Sequence, residues 1–253
     1  MADAGLLLAG VDVGGTGIKG AAVDLDGGGL ATDRVKIATP QPATPESVFE
    51  VIERVVRDTH TDGTAVGVTI PGIVRHGVVY SAANIDKSWI GTDADAALEA
   101  RLKRPVRVVN DADAAGYAEV RWGAAKGEHG VVMVTTLGTG IGSAIVYRGV
   151  LVPNTELGHL TLHGDAAEKY CANVVREREQ LSYREWAERL TEYYRMLERL
   201  FSPDLFVVGG GVSKSWPKFG PLIRIDTPMV PAKLGNNAGI VGAALLAHSA
   251  ETV

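Results

Sequence analysis

The stretch "GVDVGGTGIKGAAVDLDGG", from Gly10 to Gly28, places glycines, one threonine and one lysine directly after an apolar segment. It contains the dinucleotide-binding pattern G-x-G-x-x-G at Gly15, Gly17 and Gly20. That pattern requires a helix immediately after the glycines, so that the first N–H groups of the helix face a pyrophosphate. Here the following residues, "AAVDLDGG", predict a short strand that ends in a D-G turn. The stretch therefore predicts a hairpin of strand, glycine turn and strand.

The tip of this hairpin is a candidate phosphate site of another kind. A P-loop is excluded because Lys19 precedes Gly20, whereas a P-loop lysine precedes Ser or Thr at the start of a helix. A glycine-rich tip can still present backbone N–H groups to an anion. The residues predicted to bind the phosphate donor here are Gly14, Gly15, Thr16, Gly17 and Lys19.

A near-repeat of the hairpin occurs about half a chain later. "TGIGSA" from Thr139 matches "TGIKGA" from Thr16 in the Thr, Gly, Ile and Ala positions, and each follows an apolar segment. In a chain with 31 glycines this match can arise by chance. The functional interpretation is one phosphate hairpin in each half, with Thr139 and Gly140 in the second and the two hairpins facing each other across a cleft.

A third glycine turn, "FVVGGGVS", occupies residues 206–213. It is predicted to end a strand and open a helix, where an anion or nucleotide contacts Gly210 and Gly211. Lys214 and Lys218 follow it. From spacing alone, these two and Lys87 are ordinary solvated lysines. If the donor is a polymer of phosphates, Lys214 and Lys218 are placed to hold its downstream phosphates.

Strand and helix patterns alternate along the chain, which predicts an α/β fold with two halves. The domain boundaries are placed at residues 1–112 and 113–253, and the last helix is expected to be able to pack back on the first domain. The predicted strands are Leu6–Val13, Ile18–Leu25, Leu30–Ala38, Ala65–Ile70, Val106–Asn110, Val131–Thr136, Ser143–Tyr147 and Leu205–Val208; the predicted helices are "TPESVFEVIERVVRD" with Pro45 in its first turn, Ala94–Leu102, a long helix from a capping box at Ser182 and Glu185 to about Phe201, and Ala238–Ala247.

Composition limits the classes of protein. The 253 residues carry a formal net charge of -5, which argues against a general nucleic-acid binder. A single cysteine, Cys171, excludes an internal disulfide and a multi-cysteine zinc site. The sequence has no signal-peptide pattern and no apolar stretch approaching about 18 residues, so we expect neither secretion nor a membrane span. The expected location is cytoplasmic.

Several carboxylates fit phosphoryl transfer, which needs charge neutralisation and a base near the attacking hydroxyl. Asp12, at the end of the first strand, can hold Mg²⁺ through water, or it can simply cap a turn. Asp111 follows a buried strand, at the edge where open α/β sheets bind ligands, and is the candidate base. The alternative is that Asp111 caps the next helix, a role that Asp113 can supply equally well.

The segment "NTELGHL" places Glu156 and His159 three residues apart, close enough to contact one ligand. As zinc ligands they form an incomplete set, because a structural zinc site needs about four donors. Recognition of sugar hydroxyl groups suits them better, and a purely structural histidine is the alternative.

Five segments in the same order resemble the ROK family of sugar kinases: "DVGGTGIKG", "VVNDADAAGYAE", "TLGTGIGSA", "ELGH" and "VVGGGVS". The resemblance implies an α/β, two-domain actin-like ATPase (ribonuclease H-like) fold, with sugar and phosphate donor in the interdomain cleft. It also implies that Asp111 is the catalytic base, that Asn110, Glu156 and His159 contact the sugar, and that the protein is a homodimer.

One departure concerns zinc. ROK kinases usually carry a cysteine-rich zinc motif after the histidine, whereas this chain has "LHGDAAEKYCANVVRER" there, so we expect no zinc. Glu168 is the best substitute for a glutamate of that motif that contacts the sugar. The segment "TIPGIVRHGVVYSAANIDKSW" is similar to the branch of the family that uses inorganic polyphosphate, and in it Asn84 is a further sugar contact.

The predicted function is transfer of a phosphoryl group from inorganic polyphosphate, or from ATP, to the 6-hydroxyl of glucose with Mg²⁺. An ATP-dependent ROK hexokinase for another hexose such as mannose is the alternative. A sugar-sensing ROK repressor needs a helix-turn-helix before the first hairpin, where nine residues precede Gly10. A nicotinamide dehydrogenase rests only on the glycine fingerprint, and an actin-like filament protein does not need Asn110, Asp111, Glu156 and His159.

Overall fold

A computed structural model of the chain describes residues 6–61 and 63–251, and it shows an α/β protein. The first half, to the end of the third helix, contains β1 (Leu7–Val13), β2 (Gly17–Asp24), β3 (Gly29–Leu30), β4 (Val35–Ala38), α1 (Pro45–Arg57), β5 (Val66–Ile70), β6 (Val74–Arg75), β7 (Val78–Val79), α2 (Ala94–Leu102), β8 (Val106–Asn110) and α3 (Asp111–Arg121).

The second half continues with seven further strands and five further helices in the described residues. They are β9 (Val131–Leu137), β10 (Ile141–Tyr147), β11 (Val150–Val152), β12 (Thr161–Leu162), β13 (Asp165–Ala166), α4 (Glu168–Cys171), α5 (Asn173–Arg178), α6 (Tyr183–Phe201), β14 (Leu205–Gly209), α7 (Trp216–Phe219), β15 (Met229–Pro231) and α8 (Ala238–Glu251).

The chain divides into two compact units. The first unit lies within Met1–Ala118 and Asn237–Val253, and the second is Glu119–Asn236. The division falls inside α3, a few residues after the boundary predicted at 112, and the first unit includes α8, the last helix of the chain.

The first unit is built on a mixed sheet with the strand order β3-β2-β1-β5-β8, in which β4 also pairs with β2. The hairpin strands β1 and β2 are antiparallel, whereas β1, β5 and β8 are parallel. Alternate residues of a strand point to opposite faces. Ala9, Val11 and Val13 join the apolar core with α1, while Gly10 faces Ile240 of α8. Asp12 therefore lies on the α8 face of the sheet.

Helix α1 follows from its sequence. Thr44 caps it by accepting a hydrogen bond from the Ser47 N–H, and Pro45 occupies the first turn, where a missing N–H costs little. Its apolar residues recur at helical spacing, and Val48, Ile52 and Val55 are fully buried.

The second unit is built on a mixed sheet with the order β11-β10-β9-β14-β15. The hairpin strands β9 and β10 are antiparallel, and β9, β14 and β15 are parallel. Helix α6 begins with the predicted capping box of Ser182 and Glu185, both halves of which form. Its buried face joins Trp186 and Tyr194 to the core of this unit, and the Tyr194 hydroxyl pairs with Thr135 of β9 at 2.6 Å.

One predicted strand is wrong. The strand predicted over Leu30–Ala38 is two short strands, because the Thr32 hydroxyl oxygen accepts the Ala22 N–H at 3.0 Å and interrupts the ladder with β2. The third glycine turn follows β14 and opens a helical segment, as the sequence predicted: the 3₁₀ turn Gly211–Ser215 leads into α7 and then into a second 3₁₀ turn, Gly220–Leu222. The predicted anion contact at Gly210 and Gly211 stays a prediction.

Within the described residues, no helix combines the length and apolar character needed to cross a membrane.

Candidate active site

The tip of the first hairpin is braced so that its amides face outward. The Gly14 N–H donates to the Gly17 carbonyl at 3.1 Å and closes the turn. The Thr39 hydroxyl, at the end of β4, donates to the Gly14 carbonyl. Among the described residues, the N–H groups of Gly15 and Thr16 find no backbone acceptor. Adjacent unpaired N–H groups in a turn can bind an anion, so this geometry is compatible with the predicted phosphate contact, which stays a prediction.

Asp12 is placed by three neighbours in the first unit. Lys19 is its direct partner across the hairpin, and the Lys19 ammonium lies 3.4 Å from Asp12 Oδ2. The buried Thr69 hydroxyl donates to Asp12 Oδ1 at 2.9 Å, because Asp12 and Thr69 are paired in the parallel register of β1 and β5. In the first turn of α8, a Cβ at Gly239 would lie 3.0 Å from Asp12 Oδ1. These contacts hold a carboxylate beside the base of the hairpin.

Asn84, a predicted sugar contact, lies against the same hairpin tip. It adopts a left-handed conformation with φ of 60° and its side chain is exposed. A Cβ at Gly15 would lie 2.9 Å from the Asn84 carbonyl oxygen, so only glycine allows this approach. The structure therefore brings a predicted sugar contact next to a predicted phosphate contact.

Asn110 and Asp111 stand at the end of β8 and the start of α3. Asn110 Oδ1 accepts the N–H groups of Ala112 at 2.8 Å and Asp113 at 3.0 Å, and Asn110 Nδ2 donates to the Gly72 carbonyl. Asn110 therefore caps α3, and Asp111 shares this role at one N–H group. Asp111 is half-buried and its Oδ1 also accepts the Ala112 N–H at 2.9 Å.

The second hairpin, in the second unit, is also closed by a backbone hydrogen bond at its tip. The Gly138 N–H donates to the Gly140 carbonyl at 3.0 Å, and the Gly138 carbonyl accepts the Val174 N–H. In the described part of the chain, the N–H groups of Thr139 and Gly140 have no backbone acceptor. Both tips therefore have two adjacent N–H groups without a backbone acceptor, although the closing bond spans three residues in the first, Gly14 to Gly17, and two in the second, Gly138 to Gly140.

Glu156, His159 and Glu168 form one cluster in the second unit. The His159 ring lies between the two carboxylates, with Nδ1 4.0 Å from Glu156 Oε2 and Nε2 3.6 Å from Glu168 Oε1. Glu168 also reaches the second hairpin, since its Oε2 accepts the Ile141 N–H at 3.2 Å. A Cβ at Gly140 would lie 2.4 Å from the same oxygen. Predicted sugar and phosphate residues thus meet in this unit through Glu168.

The environment of Glu156 favours its protonated form. Burial raises the pKa of the Glu156 carboxyl above its usual value; His159 lowers it and the negative charge of Glu168 raises it further. Perturbed carboxyl groups are common in functional sites, although structural networks also produce them. A half-buried carboxylate with spare lone pairs can accept hydrogen bonds from hydroxyl groups of a ligand.

A cavity of about 470 Å³ joins the second and third glycine turns. Gly138, Thr139 and Gly211 line it. Gly210 has φ of 84°, a conformation that favours glycine, and a Cβ there would meet the Leu137 carbonyl oxygen at 2.5 Å. The turn therefore packs against the end of β9, beside the second hairpin.

Lys214 and Lys218 do not line this cavity, but Lys218 is near it. The Lys218 ammonium lies 5.6 Å from the centre of the Tyr183 ring, and Tyr183 lines the cavity. Lys214 lies in the 3₁₀ turn next to Ser215, which is also a lining residue.

Sequence reasoning missed three residues of these sites. Thr69 carries the single hydroxyl group of the apolar strand β5, and a lone polar residue in an apolar strand is the feature from which its role could have been predicted. Arg176 and Tyr183 line the cavity of about 470 Å³, with the Arg176 guanidinium 4.8 Å above the Tyr183 ring. Neither lies in a glycine-rich motif, so the sequence offered no local signal for them.

The predicted absence of zinc stays a prediction. Cys171 is buried and its Sγ donates to the Ala167 carbonyl at 3.2 Å. Across residues 6–61 and 63–251, no three His, Cys, Asp or Glu side chains cluster as metal ligands.

The arrangement of two repeated hairpins, an Asn-Asp pair and an E-L-G-H cluster agrees with comparisons to known proteins. The family model described as "ROK family" matches residues 8–175. The chain belongs to the ROK family. Its structure has the α/β, two-domain actin-like ATPase fold of ROK sugar kinases.

Two relatives within the ROK family are similar over nearly the whole chain. Polyphosphate glucokinase of Mycobacterium tuberculosis is 52% identical over 237 residues, which cover 93% of this chain and 89% of that protein. The crystal structure of inorganic polyphosphate/ATP-glucomannokinase from Arthrobacter sp. strain KM matches with a TM-score of 0.91 and 55% identity, covering 96% of this chain and 99% of that one.

A third ROK relative shows ligands in its crystal structure. The ROK family glucokinase of Streptomyces griseus, in complex with glucose and AMPPNP, matches with a TM-score of 0.84 and 29% identity. The match covers 96% of this chain and 100% of that one.

Proposed function

We propose that this protein is a polyphosphate glucokinase, which transfers a phosphoryl group from inorganic polyphosphate to the 6-hydroxyl of glucose. The observation that carries the proposal is the 52% identity over 93% of the chain to a relative with that name. The two braced hairpin tips, each with two outward N–H groups, give it a chemical basis.

In the proposed reaction, Asp111 accepts the proton of the attacking sugar hydroxyl as general base. The sugar contacts assigned to the first unit are Asn84 and Asn110. Asn110 Oδ1 caps α3, and one of its two Nδ2–H groups is donated to Gly72, so one Nδ2–H group remains for the sugar. Those assigned to the second unit are Glu156, His159 and Glu168.

The donor phosphates are assigned to the hairpin tips and to Lys19. Asp12 fits a magnesium ion held through water, since that ion keeps several waters and takes few protein ligands, and Asp12 is a half-buried carboxylate fixed by Thr69. Such an ion neutralises charge on the donor phosphates. Lys19, 3.4 Å from Asp12, supplies a second positive charge at the same place.

ATP as a second donor and mannose as a second acceptor are supported by one observation. The Arthrobacter relative, 55% identical, is named a polyphosphate/ATP-glucomannokinase. We assign the cavity of about 470 Å³ at the second and third glycine turns to the phosphoryl donor and call it the donor cavity. It has room and an aromatic wall at Tyr183, which suits a nucleotide base as well as phosphates. The proposal also includes a homodimer in the cytoplasm that does not bind nucleic acid.

The experiment is a coupled assay of the purified protein with polyphosphate and ATP against glucose, mannose and other hexoses. The proposal expects glucose phosphorylation with polyphosphate, dependent on Mg²⁺. Activity with ATP and none with polyphosphate would overturn the donor assignment. Activity with mannose and none with glucose would overturn the acceptor assignment.

A further inference from the structure

A second cavity in the second unit is lined by three arginines. It has a volume of about 490 Å³ and lies between the last turns of α6 and residues 223–226. Arg195 and Arg199 come from α6, four residues apart on one helix face, and Arg224 comes from the facing segment. The side chains of all three are exposed.

The three guanidinium groups are not neutralised by the protein. Among the described residues, none of them has a carboxylate oxygen within 4.0 Å. By contrast, Arg189 of the same helix lies 2.8 Å from Glu179. Guanidinium groups that share one cavity and form no close ion pair repel one another, and a bound anion reduces that repulsion.

Hydrogen bonds to the backbone orient two of these groups. Arg195 Nε donates to the Arg224 carbonyl at 3.0 Å, and Arg224 Nη1 donates to the Pro221 carbonyl at 2.9 Å. Each guanidinium has five N–H donors, so most donors of both groups remain for a ligand. Planar guanidinium groups suit phosphate oxygens because they can donate two parallel hydrogen bonds.

Two acidic residues also line the cavity. Glu198 is engaged by the backbone, since its Oε1 accepts the N–H groups of Asp226 at 3.0 Å and Thr227 at 2.6 Å. Asp226 has an exposed side chain that pairs with none of the three arginines within 4.0 Å. Its negative charge repels a bound anion, so removing that charge should have the opposite effect on anion affinity to removing an arginine.

The arginine-lined cavity lies near the donor cavity along the second unit. Ile223 and Ile225 line both this cavity and a neighbouring one that Trp216 also lines. Trp216 directly follows Ser215 of the donor cavity. Along α6, Arg195 lies twelve residues after Tyr183 of the donor cavity, which is about 18 Å at about 1.5 Å per residue. A triphosphate held at the glycine turns is too short to span this distance, whereas a long polyphosphate can.

We propose that Arg195, Arg199 and Arg224 form a distal binding site for the phosphate chain of long inorganic polyphosphate. This inference rests on the proposed function, in which polyphosphate is the donor. The site makes the enzyme prefer long chains, because it adds ionic contacts that tripolyphosphate and ATP do not reach. The contacts are exposed and are therefore weakened by salt.

The test replaces all three arginines with glutamine and measures KM for long-chain polyphosphate, tripolyphosphate and ATP. We expect KM for the long chain to rise about ten-fold, as the sum of three exposed ion pairs. KM for the two short donors should change less than about two-fold, since these donors do not reach the arginines and salt screens the long-range effect of the arginine charges on them. Replacing the same three residues with lysine should restore most of the affinity, since the positive charge is kept.

Two controls separate this site from net charge. The triple variant Arg54→Gln, Arg57→Gln, Arg148→Gln removes the same charge from exposed arginines elsewhere and should leave the KM for the long chain unchanged. Asp226→Asn should lower that KM, because it removes the negative charge from the cavity lining. Thermal unfolding of each variant checks that the fold is retained.

The outcomes distinguish the two proposals. If the wild-type protein uses long polyphosphate and the glutamine variant loses affinity equally for all donors, or for none, the distal site is overturned and the proposed function stands. Equilibrium binding of inorganic phosphate alone that is as tight as that of the long chain would also overturn it. So would equal binding of a single-stranded RNA of similar length. A wild-type protein inactive with polyphosphate would overturn the proposed donor itself.

Discussion

Asp12 and Lys19 are directly opposite in the antiparallel β1–β2 hairpin, and their charged groups lie 3.4 Å apart. Neither residue is deeply buried, so this ion pair contributes little to stability. Its main effect is to fix the positions of a carboxylate and an ammonium group at the base of a hairpin tip that has two outward N–H groups. The proposed magnesium contact and the proposed phosphate contacts are thereby neighbours in the structure.

The first prediction concerns Asp12. Asp12→Asn should raise the Mg²⁺ concentration for half-maximal activity by about 10–100-fold, the usual cost of removing a residue that orients a metal's water ligands. Titration of activity with Mg²⁺ at saturating donor measures this. Asp24→Asn is the matched control on the same hairpin, because Asp24 only accepts the N–H groups of Asp26 and Gly27 at the far turn. An unchanged Mg²⁺ requirement in Asp12→Asn would show that Asp12 does not serve the ion.

The second prediction concerns Asp111. Asp111→Asn should lower kcat by about 10²–10⁴-fold, because the amide cannot accept the hydroxyl proton. Glucose should still bind, since the amide keeps the shape of the carboxylate and Asn110 still caps α3. Steady-state kinetics and calorimetric titration with glucose measure the two quantities. A variant that keeps more than about a tenth of the wild-type kcat would exclude Asp111 as the base.

Local patterns were enough to predict the elements that carry the site. The repeat of "TGI" after two apolar strands predicted two hairpins, and both form, each with two adjacent N–H groups that have no backbone acceptor in the described part of the chain. The capping box at Ser182 and the apolar spacing in α1 fixed the starts of two helices. In each case the sequence pattern spans only a few residues, and local backbone geometry and side-chain hydrogen bonding are enough to determine the element.

What depended on distant pairing could not be predicted. Thr69 meets Asp12 only because of the register between β1 and β5, which no local pattern reveals. The strand over Leu30–Ala38 failed because the Thr32 side chain replaced a ladder bond. Gly158 of the E-L-G-H segment is explained only by packing, since a Cβ there would lie 2.4 Å from the Ile141 carbonyl oxygen of β10.

The third prediction concerns Glu156 and pH. Burial raises the pKa of Glu156 above the ordinary value of 4.5. Its contribution to the free energy of unfolding is therefore fully present below about pH 4.5 and is lost as pH rises through the folded-state pKa. Glu156→Gln should unfold at higher urea than the wild type at pH 7, and this difference should vanish near pH 4.

The same variant should bind glucose less tightly. Loss of the carboxylate as hydrogen-bond acceptor should raise KM for glucose about ten-fold. Glu188→Gln, on the exposed side of α6, is the control and should change neither quantity. Lower stability of Glu156→Gln than wild type at pH 7 would contradict the raised pKa.

The fourth prediction concerns the single thiol. Burial raises the pKa of Cys171 to about 12, with smaller opposing effects of Arg189 and Glu192. The thiolate fraction at pH 8 is then about a thousand-fold below that of a thiol with the ordinary value of 9.0. An aromatic disulfide reagent should leave the native protein unmodified over minutes and react with one thiol per chain in urea. Rapid stoichiometric reaction of the native protein would contradict the buried environment.

The last prediction concerns the lysines after the third glycine turn. Lys218 lies over the Tyr183 ring beside the donor cavity, and Lys214 adjoins its lining residue Ser215. Lysine is a mobile point charge and tolerates variable phosphate positions. The double variant Lys214→Ala, Lys218→Ala should raise KM for long-chain polyphosphate and for tripolyphosphate more than KM for ATP, because a nucleotide keeps its base contacts. This pattern differs from that of the arginine cavity, which affects the long chain alone.

The size of the effect should depend on salt. Exposed ionic contacts are screened over about 8–10 Å at physiological ionic strength, so the difference between the donors should shrink as salt rises. The matched control is Lys103→Ala, Lys126→Ala, which removes the same charge from exposed lysines elsewhere and should leave all three KM values unchanged. Equal losses with polyphosphate and ATP would mean that the lysines hold only the reacting end that both donors share.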